Sequence, residues 1–267
     1  MTLFDIYIIY FIALLPAIVI ISIVYGKDVF PEDKREVAIT FLLGCSIILF
    51  LDLLIPLVEA FNDSFFVGYG NIAFMTFFRA ATLEETLKFL VLYSYAYRLK
   101  SFNEPMDAVV FATAASLGFA AIENLDYVHL GETGEEAFNI AFLRAFSAVP
   151  LHGLCGIFMG LFFGLAVFGR SNNKKYLFYA LAVPIFIHGL YNFVLSIYAH
   201  VLIYFILIFL IFKASSIFEK LTYDQRTREQ EDIDKAYIIT SKEIFINVLK
   251  ITGMIIVGVI SLEVFFN

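Results

Sequence analysis

Residues Leu3–Tyr25 read LFDIYIIYFIALLPAIVIISIVY, an apolar run whose single charged side chain is that of Asp5. About 20 such residues in a helix are long enough to cross the roughly 30 Å hydrocarbon core of a bilayer. The run lacks the basic start of a signal peptide and is longer than the apolar part of one, so we interpret it as a retained transmembrane helix.

Seven further apolar segments follow, at residues 37–60, 71–97, 105–128, 137–168, 176–198, 201–212 and 244–266. The run from 176 to 218 is divided into two helices because it is too long for a single crossing. The sequence therefore predicts an all-α, polytopic transmembrane helix bundle of about eight helices.

The composition agrees with a membrane protein. Of the 267 residues, 61% are hydrophobic and 16% are charged, and the mean hydropathy is +0.87, which is far more apolar than a soluble domain. The net charge is −7, so the chain lacks the basic surface that a nucleic acid partner requires. Cys45 and Cys155 lie within apolar segments, and we interpret them as buried side chains rather than as a disulfide or a metal site.

The distribution of Lys and Arg predicts the orientation, because these residues collect in short loops on the cytoplasmic side. Fourteen of them lie in the connections after predicted helices one, three, five and seven: Lys27, Lys34, Arg35, Arg98, Lys100, Arg170, Lys174, Lys175, Lys213, Lys220, Arg226, Arg228, Lys235 and Lys242. The intervening connections and both termini carry none. This pattern predicts a multi-pass protein of the cell membrane with both termini on the extracytoplasmic side.

The chain shows no second folded domain in this interpretation. Residues 1–212 are predicted to form the transmembrane bundle with the site, 213–243 a charged and partly helical cytoplasmic segment, and 244–267 a C-terminal transmembrane helix. We find no internal repeat, which argues against an inverted-repeat transporter.

Four of the apolar segments carry polar side chains whose presence within hydrocarbon requires a partner or a function. They are Glu84, Glu85 and Lys88 in the third, Glu123 and Asn124 in the fourth, His152 in the fifth, and His188 and Asn192 in the sixth. Counting from the polar residue nearest the cytoplasmic end of each helix puts Glu84, Glu123, His152 and His188 roughly 20 to 27 Å from the inner surface. Predicted helices three to six therefore form a core around one cavity that opens toward the extracytoplasmic side.

These residue types are suited to hydrolysis. One carboxylate can act as a general base on water, and His or Asn can donate hydrogen bonds to the oxyanion that develops. We expect Lys88 to neutralise one carboxylate of the pair Glu84 and Glu85 and to leave the other as the freer base. No cofactor is required for that chemistry. Alternatively, the Glu and His residues hold a zinc ion, although the HExxH motif is absent.

A stripe of small residues, Gly156, Gly160 and Gly164, follows His152 along the fifth predicted helix. Small residues four apart allow another helix backbone to approach closely. We therefore expect close packing along this stripe, which would hold His152 against a neighbouring helix.

Four motifs resemble those of the PrsW family of intramembrane proteases, in the same order. EETLKF (84–89) resembles the EExxK motif, GFAAIEN (118–124) the FxxxE motif, HGLCG (152–156) the HxxxG motif, and HGLYN (188–192) the last His motif. That family looks like a branch of the group that contains type II CAAX prenyl endopeptidases and ABI proteins. The resemblance covers roughly residues 74–193 and implies a glutamate and histidine site that faces a cavity in the membrane.

Carried over by position, the resemblance implies Glu84 or Glu85 as the water-activating base and Glu123 as its partner. It implies His152, His188 and Asn192 as ligands of the oxyanion or of a metal, with Lys88 and Asn124 as supporting residues. If a metal is present, the implied ligands are Glu85, Glu123, His152 and His188. Asn192 departs from the Asp of many relatives and is a neutral hydrogen-bonding group. The implied partners are the lipid bilayer and a membrane-anchored substrate such as an anti-sigma factor, cut on the extracytoplasmic side.

Two other function classes fit the same residues. A proton- or cation-coupled transporter would bind its ion at the buried carboxylates, and a catalytically silent scaffold would bind single-pass partners without turnover. Outside the motifs, Asp52, Glu59 and Glu263 are expected to have structural roles. Arg79 and Arg144 are expected to pair with Glu123, Asp126 or a lipid phosphate.

Overall fold

The computed structural model describes residues 3–169, 171–227 and 235–266, and these residues contain helices but no strand. Residues 170 and 228–234 lie outside the described residues. They include Arg170 and Arg228, which were counted for the orientation, and part of the predicted cytoplasmic segment. The helices are α1 Leu3–Tyr25, α2 Lys34–Cys45, α3 Ile47–Phe65, α4 Gly68–Ala73, a π-helix (π1) Phe74–Thr82, α5 Leu83–Ser94, a 3₁₀ turn Ala96–Arg98, α6 Pro105–His129, α7 Gly134–Ala145, α8 Ala148–Phe168, α9 Asn173–Ser196, α10 His200–Arg226 and α11 Ser241–Phe266.

The predicted class and helix count are confirmed. Over the described ranges, seven helical stretches are long and apolar enough to cross a membrane: Asp5–Tyr25, Lys34–Phe65, Pro105–His129, Gly134–Phe168, Asn173–Ser196, His200–Arg226 and Ser241–Phe265. The remaining predicted segment, 71–97, is helical as α4, π1 and α5 placed end to end. It is less apolar because it carries the acidic pair and Lys88.

Three boundaries differ from the predicted ones. The predicted helix 37–60 is divided at Ser46 into α2 and α3, and 137–168 is divided between α7 and α8. Pro150 lies in the first turn of α8, where the N–H group that proline lacks has no helical partner in any case. The seventh helix, predicted to end at 212, continues to Arg226 as α10, because a helix can extend past the apolar region with its charged residues in water.

The bundle is built around α6 and α8, whose side chains are buried almost throughout. The expected close packing of the glycine stripe is confirmed. A Cβ atom added at Gly160 would lie 2.3 Å from the carbonyl oxygen of Ala108 and 2.4 Å from Cα of Val109, both on α6. Further along α6, Gly118 lies against the backbone of Phe41 in α2. These backbone contacts fix the relative heights of the central helices.

We expect Gly160→Ala to destabilise the bundle by about 3 kcal/mol, because the added methyl group meets the backbone of α6, which cannot move aside as a side chain can. Thermal unfolding in detergent micelles measures this effect. Gly258→Ala in α11 is the matched control, since a Cβ atom there meets nothing within 4 Å, and we expect it to unfold at or slightly above the wild-type temperature. Equal unfolding temperatures for the two variants would contradict the packing argument.

Candidate active site

Helices α5, α6, α8 and α9 bring six titratable side chains of the predicted site together. Five of them have at most 4% of their surface exposed, namely Glu84, Glu85, Lys88, His152 and His188. Glu123 is slightly more open, with 14% of its side chain exposed. The rings of His152 and His188 stand at right angles with their centroids 4.9 Å apart. Buried charges at this density require mutual pairing or a bound ion.

The π-helix π1 leads directly into the acidic pair. The hydroxyl of Thr82 donates to the carbonyl oxygen of Phe77, five residues earlier, at 2.7 Å. A Cβ atom added at Gly189 of α9 would lie 2.2 Å from the ring of Phe77, so the glycine allows π1 to pack beside His188. Wide turns of this kind are frequent at functional sites.

Glu85 is held by two partners through one oxygen. Lys88 Nζ donates to Glu85 Oε1 at 2.7 Å, and His188 Nδ1 lies 2.9 Å from the same oxygen. The second oxygen, Oε2, is buried and has no hydrogen-bond partner among the residues described. Glu85 therefore has one oxygen committed to neighbouring side chains and one that is available.

Glu84 has looser contacts. Its Oε2 atom lies 3.7 Å from Lys88 Nζ and 3.8 Å from His188 Nε2, both longer than a hydrogen bond. This oxygen is buried and has no hydrogen-bond partner in the described part of the chain. Lys88 was expected to neutralise one carboxylate of the pair, and its closer partner is Glu85. Glu84 is the less restrained of the two.

His152 connects the two halves of the site. Lys88 Nζ lies 3.0 Å from His152 Nδ1, and His152 Nε2 lies 2.9 Å from Glu123 Oε2. Because an ammonium group can only donate, this pattern assigns the ring proton to Nε2, which donates to Glu123. The ring of Phe119 stands edge-on to His152 at 5.5 Å and lies 4.3 Å from Lys88 Nζ, so it fills the apolar side of this contact.

Arg144 of α7 extends the cluster and was not among the predicted site residues. Its Nη2 atom donates to Glu123 Oε2 and its Nε atom to Asn124 Oδ1, both at 2.7 Å. The guanidinium group lies 3.8 Å from the centre of the Tyr127 ring. The expected pairing of Arg144 with Glu123 is confirmed. Its position inside an apolar segment was the one sequence signal that pointed to it.

Asn124 and Asn192, both named from the motifs, have different environments. Asn124 is fully buried and donates to the carbonyl oxygen of Ala13 at 2.8 Å, which ties α6 to α1. Asn192 is half-buried one turn from His188, and its side chain makes no hydrogen bond to the described residues. Asn124 thus lies at the edge of the cluster, where Arg144 donates to it, and Asn192 takes no part in the hydrogen bonds of the cluster among the described residues.

Arg79, Glu59 and Glu263, three further charges within the membrane-crossing segments, have their contacts away from the cluster. Arg79 lies 3.2 Å from Glu59 of α3. The expected partners of Arg79 were therefore wrong, because α3 packs against π1 and supplies a nearer carboxylate. Glu263 of α11 accepts from the backbone N–H of Val67 just before α4, in the helix-end role expected for it. Glu59 also has its expected structural pairing.

Glu84, His152 and His188 each offer one ligand atom, and these atoms lie within 4.8 Å of one another. One carboxylate oxygen and two imidazole nitrogens form the donor set of many catalytic zinc sites, which leave a fourth position for water. The buried Oε2 atom of Glu84, without a hydrogen-bond partner among the described residues, agrees with this role. This set differs from the one implied by resemblance, because Glu85 is engaged by Lys88 and Glu123 by Arg144.

Comparison with known proteins supports the family that the motifs suggested. A model of the family described as PrsW family intramembrane metalloprotease matches residues 32–215. A Protease PrsW of Oceanobacillus iheyensis is 34% identical over 184 residues, which is 68% of this chain and 80% of that protein. A Protease PrsW of Bacillus subtilis is 33% identical over 199 residues, 74% of this chain and 86% of that protein. No solved structure matches the chain. The chain therefore belongs to the PrsW family of intramembrane metalloproteases.

Proposed function

We propose that this protein is an endopeptidase that hydrolyses a peptide bond of a membrane-anchored protein at the cluster of Glu84, Glu85, His152 and His188. The observation that carries the proposal is the convergence of these side chains from α5, α8 and α9 in the middle of the bundle. Each glutamate has one buried oxygen without a hydrogen-bond partner among the described residues. Membership of a family of membrane peptidases supports the reaction class.

We assign Glu84, His152 and His188 as the residues that hold a metal ion, with zinc as the fitting element. A zinc ion would act as a Lewis acid and lower the pKa of its bound water. The charges of the cluster support this assignment: among the described residues, the three carboxylates Glu84, Glu85 and Glu123 contact two Lys or Arg side chains, Lys88 and Arg144. The excess negative charge favours a cation in a buried site.

Glu85 is the residue that we assign as the general base. Its Oε1 atom is fixed by Lys88 and His188, so its free Oε2 atom is held in a defined direction to accept the proton of the attacking water. Lys88 compensates the charge of Glu85. Its contact with His152 Nδ1 would have to be released for that nitrogen to bind the metal, because Nε2 carries the ring proton. Glu123 fixes the same ring from the opposite side through Nε2, an arrangement that orients an imidazole toward one partner.

Arg144 acts in this scheme through Glu123, and we expect Arg144→Gln to lower the cleavage rate about 10- to 100-fold. Loss of the guanidinium group leaves Glu123 with His152 as its one partner in the described cluster. Initial rates on a membrane-anchored reporter measure the effect. Arg79→Gln is the control, since Arg79 pairs with Glu59 outside the cluster, and it should retain nearly full activity. Equal losses in both variants would indicate a general effect of removing an in-span arginine.

The proposed activity can be tested in cells while the substrate is still unidentified. Membrane proteins from cells that express the wild-type chain are compared with those from cells that express Glu85→Gln, and new protein termini are identified by mass spectrometry. We expect wild-type-specific termini beside a transmembrane segment of a single-pass protein. Identical sets of termini would refute the protease proposal, and ion flux in proteoliposomes without cleavage would instead support the transporter alternative.

The proposed function also includes the side of the membrane on which cleavage occurs. We propose that both chain termini and the opening of the site face outward, as the positive charges of the connections indicate, and that the substrate is similar to an anti-sigma factor. A membrane-impermeant thiol reagent should label Glu132→Cys in intact cells but label Lys100→Cys only after the membrane is disrupted. The reverse labelling pattern would overturn this orientation.

A further inference from the structure

Helices α9 and α11 enclose a groove that the proposed peptidase chemistry does not use. Near the starts of the two helices, a cavity of about 490 Å³ is lined by polar side chains that include Lys174, Lys175, Asn247 and Lys250. Further along the same helices, an apolar groove of about 570 Å³ runs toward Gly258. Phe178 lines both spaces. The surface is therefore continuous, with a cationic end and an apolar body.

The cationic end has an excess of positive charge. Three lysines and one carboxylate, that of Glu243, line the cavity. Glu243 already accepts hydrogen bonds from the hydroxyls of Tyr237 and Thr240. Lys174 lies 3.9 Å from Glu243 with 80% of its side chain exposed, so this contact is a weak surface pair. Lys250 is exposed and forms no ion pair with any described residue. An anion placed here would have cationic partners on both helices.

The environments of Asn247 and Lys250 indicate that this cavity binds a ligand. The side chain of Asn247 is only 8% exposed, lines the cavity, and makes no hydrogen bond to the described residues. Lys250 lies nine residues past the start of α11 at Ser241, which is roughly 13 Å along the helix. A lysine at that depth reaches toward the phosphate level of the bilayer. The ammonium group of Lys250 is therefore within reach of a lipid headgroup, and Asn247 offers its amide in the same cavity.

The body of the groove is open and apolar. It is lined by Ala182 and Ile185 of α9 and by Ile251, Ile255 and Gly258 of α11. A Cβ atom added at Gly258 would meet nothing within 4 Å, so the space beside this glycine is free. The groove also reaches Phe77 of π1, whose ring packs on Gly189 next to His188.

We propose that this groove binds one anionic phospholipid, with its phosphate between Lys174, Lys175 and Lys250 and one acyl chain along the apolar body. The charge of the lysines selects an anionic headgroup over a zwitterionic one, because each lysine near a lipid phosphate adds to the attraction. The apolar body requires a hydrocarbon chain, which a free phosphate ion lacks. The bound lipid supports α9 and π1 from the side opposite to the centre of the bundle.

The headgroup contact is tested by native mass spectrometry of the full chain in detergent micelles with added palmitoyl-oleoyl phosphatidylglycerol or phosphatidylcholine. We expect one phosphatidylglycerol per chain, bound at least about tenfold more tightly than phosphatidylcholine. Lys174→Gln combined with Lys250→Gln should weaken binding by at least about tenfold. Lys213→Gln combined with Lys220→Gln on α10 makes the same change in net charge and should leave binding unaltered. Equal binding of both lipids, or equal losses in the two double variants, would overturn the proposal.

The acyl-chain contact has its own test. Gly258→Phe places a ring in the groove, whereas Gly253→Phe, at a second open glycine of α11 that does not line the groove, is the matched control. Only Gly258→Phe should lose phosphatidylglycerol binding and the increase in unfolding temperature that the lipid produces. Retained binding in Gly258→Phe would refute the acyl-chain site. Displacement of the lipid by millimolar inorganic phosphate would show that the cavity binds free anions instead.

Discussion

The Glu85→Gln variant is expected to cleave its substrate about 100- to 10,000-fold more slowly than the wild-type chain and to purify with the same zinc content. Glutamine has nearly the shape of glutamate and can still accept the hydrogen bond from Lys88 that Glu85 Oε1 accepts at 2.7 Å. It cannot take a proton from water, because an amide is not basic. The variant therefore separates the base from the ligand set, provided that zinc content and cleavage are measured on the same preparation.

Glu59→Gln is the control for this variant. Glu59 is also a carboxylate within a membrane-crossing helix, but it pairs with Arg79 away from the cluster. We expect it to keep nearly all of the cleavage activity. If Glu85→Gln cleaves at the wild-type rate while Glu84→Gln does not, the base is Glu84 and the roles of the two glutamates are reversed. If both variants are active, the cluster is not the site of hydrolysis.

The second large effect is expected from His188→Ala, which should lose stoichiometric zinc together with activity. The imidazole of His188 is one of the three candidate ligands and also contacts both adjacent glutamates, at 2.9 Å from Glu85 and 3.8 Å from Glu84. Its removal leaves two ligands, fewer than the three that catalytic zinc sites use. Elemental analysis of the purified protein measures the metal directly, and unfolding temperature checks that the variant is folded.

His200→Ala provides the matched control, because His200 is exposed at the start of α10. It should retain both zinc and activity. The metal proposal also predicts a result for the wild-type chain: treatment with a chelator should abolish cleavage, and added zinc should restore it. Full activity of the metal-free protein would instead support a carboxylate mechanism in which Glu84, with its free oxygen, activates the water.

Much of the architecture follows from the sequence because hydropathy and helical period are local properties. Apolar runs of membrane-spanning length located the helices, and spacing of four placed each motif on one face. Counting from the cytoplasmic end of each helix put the Glu and His side chains at one depth, and the structure brings Glu84, Glu123, His152 and His188 into one cluster.

The choice between Glu84 and Glu85 is not a local property. Glu84, Glu85 and Lys88 all lie on α5, so their spacing allows Lys88 to pair with either glutamate. Neighbouring residues on a helix point about 100° apart, so which glutamate lies closer to His188 depends on the rotation of α5 relative to α9. The partner of Arg144 likewise depends on the break between α7 and α8. Asn192 shares a face with His188 as its spacing predicts, but helical spacing alone does not determine which side chains touch across helices.

The π-helix has a consequence for how this segment can change during evolution. Its nine residues, Phe74–Thr82, set the rotational phase of everything that follows in α5. Removing or inserting a single residue there would turn the EExxK face by about 100° and direct the acidic pair away from His152 and His188. Substitutions that preserve the length of this stretch should therefore be tolerated far more often than indels, and gapless alignment across it is a useful criterion for recognising members of the family that keep an intact active centre.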